Sequence, residues 1–252
     1  MIIDKLAKEG LIQPPKWLID NLQFLGCSGS ISYGVSSNTS DIDCFGYCIP
    51  PKDIVFPYAN NIVGFGTNKE RFRIWSKHHV KTLDGQKTYD FSIYNIVDYF
   101  NLMLENNPNM IDILFLPRHC ILHSTQINEI IRENRKLFLS KLVFPKFRGY
   151  AYSQISKMIN KKETTNEKRM KTIIDYGYDT KNAYHAVRLV LECEQILVEH
   201  DLDLERNKEI LKSIRNGEWT SERLQDWFTN KRNLWKHYML RVFCVQNQMK
   251  KK

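Results

Sequence analysis

Asp41 and Asp43 stand two residues apart, a short way beyond the pair Gly29-Ser30. On an extended strand, residues at i and i+2 project to the same face, so both carboxylates address one metal site while Ile42 between them faces the core. Carboxylate oxygens are hard ligands of the kind magnesium takes. Gly29 permits close backbone approach in the turn, and Ser30 with the amides that follow can hold phosphate oxygens. A divalent ion beside bound phosphate is the equipment of phosphoryl and nucleotidyl transfer, where two ions about 3.5–4 Å apart stabilise the attacking and leaving oxygens. A pair of Mg2+ ions is expected, with Mn2+ as a substitute. Asp90, in Thr88-Tyr89-Asp90-Phe91, is the expected third carboxylate. In this arrangement Asp41 and Asp43 bridge both ions, and Asp90 binds the catalytic one and assists the attacking hydroxyl. An isolated Asp-x-Asp is common as a solvated turn, and Asp90 also suits the cap region of a following helix. The combination of turn and carboxylate pair between two apolar runs carries the metal reading.

Those residues need elements to position them. Gln23 to Cys27 is a short apolar run, and Ile42 to Ile49 is a second, closed by Pro50-Pro51; both are predicted strands. Thr88 to Phe91 is a third short strand, after which Ser92 is predicted to cap a helix with Ile93, Ile96, Val97, Phe100, Met103 and Leu104 on one stripe. That helix ends near Asn106-Asn107-Pro108. A further apolar run, Met110 to Leu116, stops at Pro117, and Cys120 to Leu122 is a brief predicted strand. Beyond residue 124 period-two alternation is scarce, while Asp179 to His200 and Ser221 to Val245 are Pro-free helical stretches. The expected fold class is α+β: a small mixed sheet with helices over residues 1–124, the catalytic domain, then an all-α basic domain over 125–252.

The composition, 42% hydrophobic and 26% charged in 252 residues, is that of a folded chain. No window approaches the roughly 18 charge-free apolar residues of a membrane span, and the first residues lack the apolar run of a signal peptide. A cytoplasmic location with no membrane partner is expected. The six cysteines are scattered, as reduced thiols would be. Between Arg132 and Lys171 there are 12 lysines and arginines against three acids, an excess equal to the net charge of +9 for the whole chain. Such a segment attracts a polyanion, which makes an RNA acceptor bound through residues 132–171 the expected partner beside an NTP. A solvated helical face would carry the same charge. Phe144, Phe147, Tyr150 and Tyr152 interleave with Lys141, Lys146 and Arg148 there, a pattern suited to stacking and phosphate contact together. Lys181, His185 and Arg188 recur at i, i+4 and i+7 and share one helical face. It is read either as a basic surface toward the nucleotide or as a structural polar stripe. His78-His79, His119 and His123 have no ligand-spaced partner and are read as structural.

Gly29-Ser30-x-x-Tyr33-Gly34 followed by Ser40-Asp41-Ile42-Asp43 resembles the signature of the DNA-polymerase-β-like nucleotidyltransferases. More narrowly the chain resembles the RlaP type, a group associated with RNA repair and also found in phages. Asn107 to Leu114 is similar to its Asn-Pro helix, and Tyr178-Asp179-Thr180-Lys181-x-x-x-His185-x-x-Arg188-Leu189 is similar to a later segment. The resemblance implies a polymerase-β-like catalytic domain that transfers NMP from an NTP, ATP included, to a hydroxyl, most naturally of an RNA end such as that of tRNA, with release of pyrophosphate. It implies that Gly29, Ser30 and Ser40 bind nucleotide, with Lys181, His185 and Arg188 as further contacts, and that Asp41, Asp43 and Asp90 bind magnesium. Nucleotidylation (AMPylation) of a protein hydroxyl and a non-catalytic nucleic-acid-binding module are the competing readings.

Overall fold

The structure is a computed structural model, and it describes residues 1–36, 41–56, 71–160 and 167–231. Chain contacts divide it into two units: Met1–Glu105 with Asn109–Phe138, and Asn106–Pro108 with Leu139–Lys252.

The first unit contains α1 (Ile2–Lys8), β1 (Leu22–Ser28), β2 (Ile42–Cys48), α2 (Lys52–Val55), β3 (Ile74–Lys81), β4 (Thr88–Asn95), α3 (Ile96–Leu104), α4 (Pro108–Leu114, its first residue counted with the second unit), β5 (Ile121–Ser124) and α5 (Gln126–Glu133). The five strands form one mixed sheet in the order β3-β4-β2-β1-β5. Only β2 and β4 run parallel; the other neighbours are antiparallel. Period-two alternation sorts the two faces. Leu25, Cys27, Cys44, Cys48, Phe91 and Ile93 form a core with Ile3 and Leu6 of α1. On the opposite face Phe24, Tyr47 and Tyr99 of α3 stack in series, with ring centroids 5.9 and 4.5 Å apart.

Three features depart from the sequence reading. Strand β4 continues through Ser92 to Asn95, and Asn95 rather than Ser92 caps α3, its Oδ1 accepting from Asp98 N at 2.8 Å. Ile93 fits either period, and it is fully buried because β4 lies between two partner strands. Strand β3 was not legible: it is an edge strand, and of its eight residues only Val80 is buried. Finally, the division falls after Phe138 rather than near residue 124. Helix α5 belongs with the sheet, since Tyr47 donates to Asn128 Oδ1 at 3.0 Å and buried Arg132 donates to the carbonyls of Leu114 and Leu116 at 3.4 and 2.7 Å. The Leu114 carbonyl ends α4, where a cation favours the helix dipole. Arg132 is thereby withdrawn from the basic segment in which it was counted.

The second unit is helical, with α6 (Val143–Asn160), α7 (Glu167–Tyr176), α8 (Thr180–Glu199) and α9 (Lys208–Arg215). A last helix begins at residue 221 and runs to 231; the rest of the expected helix, to Val245, lies outside the described residues. Helix α8 is buried on most of its circumference and packs against α6. The Asp179 side chain caps its N-terminus, and His200 at φ 52° closes it in the left-handed region. Among the described residues no helix is long and apolar enough to cross a membrane.

Candidate active site

Register places the carboxylates. Asp43 of β2 is the direct partner of Asp90 in parallel β4, and Ser28, the last residue of β1, pairs with Asp43 on the other side. Lateral neighbours share a face, so Ser28, Asp43 and Asp90 form a row across three strands, with about 4.8 Å between adjacent strands. This is the face opposite Cys27 and Cys44. Those two thiols are register partners, and the hydrogen bond with Cys27, together with burial, holds Cys44 well above its ordinary pKa range. Asp41 is exposed and immediately precedes β2, while half-buried Ile42 packs against the core.

The Gly29-Ser30 turn closes over this row. Gly29 sits at φ 70°, where a side chain is strained, and a Cβ there would lie 2.5 Å from Asp43 Oδ2. Only glycine brings the turn backbone this near the carboxylate. Ser32 Oγ donates to Gly29 O at 2.9 Å, and Val35 N donates to Ser30 O at 2.9 Å. Tyr33, from the same turn, reaches inward and donates to Asp112 Oδ2 of α4 at 2.6 Å. Both partners are buried. The Gly-Ser turn and the Asn-Pro helix, read separately in the sequence, are thus joined by one hydrogen bond. Tyr33→Phe leaves the Asp112 carboxylate without this donor and is expected to cost about 1–3 kcal/mol of unfolding free energy, measured from urea midpoints. An unchanged midpoint would remove the bond from the account of the turn.

Ser40 lies outside the described residues. Lys181, His185 and Arg188 belong to the second unit, and they do not form one solvent-facing stripe. Lys181 is exposed, His185 half-buried and Arg188 buried. Arg188 makes a two-pronged ion pair with Glu192, one turn on, at 3.0 and 2.8 Å. Burial, and then the nearby cations of Arg188, Lys181, Arg215 and Arg169, push the His185 imidazole well below its ordinary pKa, so it is neutral at pH 7. The structural alternative for this face therefore suits Arg188 better than direct contact with a triphosphate. The basic segment is also split, residues 132–138 going to the first unit and 139–171 to the second.

Comparison with known proteins adds the decisive observation: the family model described as "RNA repair pathway DNA polymerase beta family", RlaP, matches residues 16–241. The chain belongs to the RlaP family. No curated relative matches it. Among solved structures it is similar to a nucleotidyltransferase-like protein from Exiguobacterium sibiricum 255-15, at 10% identity over 95% of this chain and 77% of that one, with a TM-score of 0.30. That likeness is too distant to carry an inference.

As a member of the RlaP family the chain is a polymerase-β-type nucleotidyltransferase. In this RlaP-family sheet no three His, Cys, Asp or Glu side chains are gathered tightly enough to hold an ion by themselves among the described residues. The donor set nevertheless fits magnesium, which takes one or two carboxylates and completes its shell with water and substrate phosphates. Asp43 and Asp90 stand side by side, with Asp41 two residues before Asp43, a donor set of the kind such an ion uses when it arrives with a triphosphate.

His78 and His79, read as structural in the sequence, stand beside Asp90. Both Nδ1 atoms lie 3.9 Å from Asp90 Oδ1, and the His79 main-chain N–H donates to the same oxygen at 2.6 Å. The RlaP row of Ser28, Asp43 and Asp90 thus ends in a histidine pair on the edge strand. The available signal was compositional, since histidine is among the residues enriched at positive φ, but it required knowing that a strand passes there.

Proposed function

We propose that the protein transfers a nucleoside monophosphate from an NTP to a hydroxyl at an RNA end, in a reaction dependent on a divalent cation. The observation that carries this reading is the side-by-side register of Asp43 and Asp90 beneath a Gly29 turn with no room for a side chain. Magnesium, bound by Asp41, Asp43 and Asp90 with the triphosphate oxygens, would neutralise phosphate charge and polarise the reacting oxygens. The turn at Gly29 and Ser30 holds the triphosphate against the row. Asp90 orients the acceptor hydroxyl and draws off its proton as the oxygen attacks the α-phosphorus. The bond from that phosphorus to the bridging oxygen breaks, and pyrophosphate leaves.

Two features support RNA as acceptor. The family is described by an RNA repair pathway. Helix α6 exposes Tyr150 and Tyr152, Tyr152 one turn from exposed Arg148, which lies 5.2 Å from the Phe144 ring centre; Phe147, also read as a stacking ring, is buried in the core instead. Rings and cations in alternation suit stacking on bases and contact with phosphates. The test is incubation of the full chain with each of four α-labelled NTPs, magnesium, and total RNA or lysate protein. Label that nuclease removes, and that EDTA prevents, is the expected result. Label removed by protease and not by nuclease would overturn the RNA acceptor and put a protein hydroxyl in its place.

A further inference from the structure

Opposite Asp90 the ladder between β3 and β4 breaks its register: Lys77 pairs with Phe91 and Val80 with Tyr89, so two residues, His78 and His79, face one. His79 stands in the left-handed region at φ 56°. A bulge of this kind turns one main-chain group out of the ladder, and here the His79 N–H is turned onto Asp90 Oδ1 at 2.6 Å. A non-glycine residue at positive φ costs energy and persists where its surroundings require it. Blunting an exposed edge could account for a bulge on β3, but it does not require the freed amide to land on a carboxylate in the same row as Asp43.

We propose that the His79 bulge is a positioning device for the candidate metal site: its main-chain amide holds Asp90 Oδ1 and thereby aims Oδ2 at the cation shared with Asp43. The proposal rests on Asp90 being a metal ligand. It assigns the function to the amide and the backbone conformation, not to the imidazoles. Partners of this sort, one step removed from the ion, orient a ligating carboxylate and tune its hold on the metal.

The test measures Mn2+ affinity of the full chain by electron paramagnetic resonance, with a non-hydrolysable NTP analogue present, alongside kcat and KM. His79→Val, whose β-branched side chain resists the left-handed region, is expected to weaken Mn2+ binding by about 10–100-fold and to lower kcat more than it raises KM for NTP. His79→Gly keeps the N–H and the conformation, and is the conservative rescue: its Mn2+ affinity stays within about threefold of wild type, well short of that loss. Should His79→Val fail to fold by circular dichroism, deletion of His79, which restores a regular ladder and removes the amide from Asp90, is read in its place. Equal losses in the glycine and valine variants, or none in valine and deletion, would overturn the proposal. Asp90→Asn separates the two levels of the argument. Loss of Mn2+ binding there with full binding in His79→Val defeats the bulge alone, whereas unchanged binding in Asp90→Asn defeats the metal assignment beneath it.

Discussion

Asp43→Asn is expected to lower nucleotidyl transfer by at least about 10³-fold, because a metal's hold on transition-state charge is worth several kcal/mol and each 1.36 kcal/mol is tenfold in rate. The substitution keeps the shape of the side chain and removes the charge from the centre of the row, where Asp43 has Asp90 on one side and Ser28 on the other. It should not unfold the protein. Magnesium with a non-hydrolysable NTP should raise the melting temperature of the wild type and not that of the variant, since only the wild type gains stability from binding. Rates are read by α-labelled NTP incorporation and melting by calorimetry. Wild-type turnover in Asp43→Asn would end the catalytic reading of this row.

Glu192→Ala should be strongly destabilising in the second unit. Arg188 and Glu192 are 6% and 3% exposed and bonded through two oxygens, so truncating the glutamate takes both of these bonds and the opposite charge away from a buried guanidinium, at a cost of about 3 kcal/mol. Replacing the pair together, Arg188→Met with Glu192→Leu, should restore most of that loss, because a buried ion pair is roughly exchangeable for packed apolar groups. The double variant also decides what Arg188 does. Transfer activity close to wild type in a refolded double variant is expected of a structural pair, while lost activity at restored stability would return Arg188 to the nucleotide. Urea unfolding supplies the energies, and a loss under about 1 kcal/mol in Glu192→Ala would contradict the burial argument.

Much of the candidate site was written locally. Cys27 and Cys44 face each other on strands that follow one another in sequence, so the run from Leu22 to Asp43 already contains β1, the Gly29 conformation, Ile42 turned toward the core and Asp43 turned away from it. Helix α8 was equally plain, from its cap at Asp179 to its close at His200, because a side-chain cap and a 3.6-residue apolar period are short-range facts. Asp90 was nominated from its place in the short run Thr88-Tyr89-Asp90-Phe91, and nothing local says which residue of β2 it stands beside.

What the tertiary structure decided lies wherever partners are distant in sequence. The pairing of Asp43 with Asp90 is a matter of strand register, and a slip of one residue would turn Asp90 to the opposite face. The extension of β4 to Asn95 follows from its having a strand on each side, which outweighs the helical period of Ile93 and Ile96. Arg132 looked like part of a basic surface until the carbonyls of Leu114 and Leu116 supplied a buried use for it, and Arg188, open to either reading in the sequence, pairs with Glu192 in the same buried layer. The amide of His79 on Asp90 left only a compositional hint in the sequence, a histidine where the bulge takes positive φ. Side-chain type and spacing determine which faces and turns a segment can offer, but a main-chain N–H is present at nearly every residue. Only the packed sheet, by breaking one ladder at one place, determines which of them reaches a carboxylate.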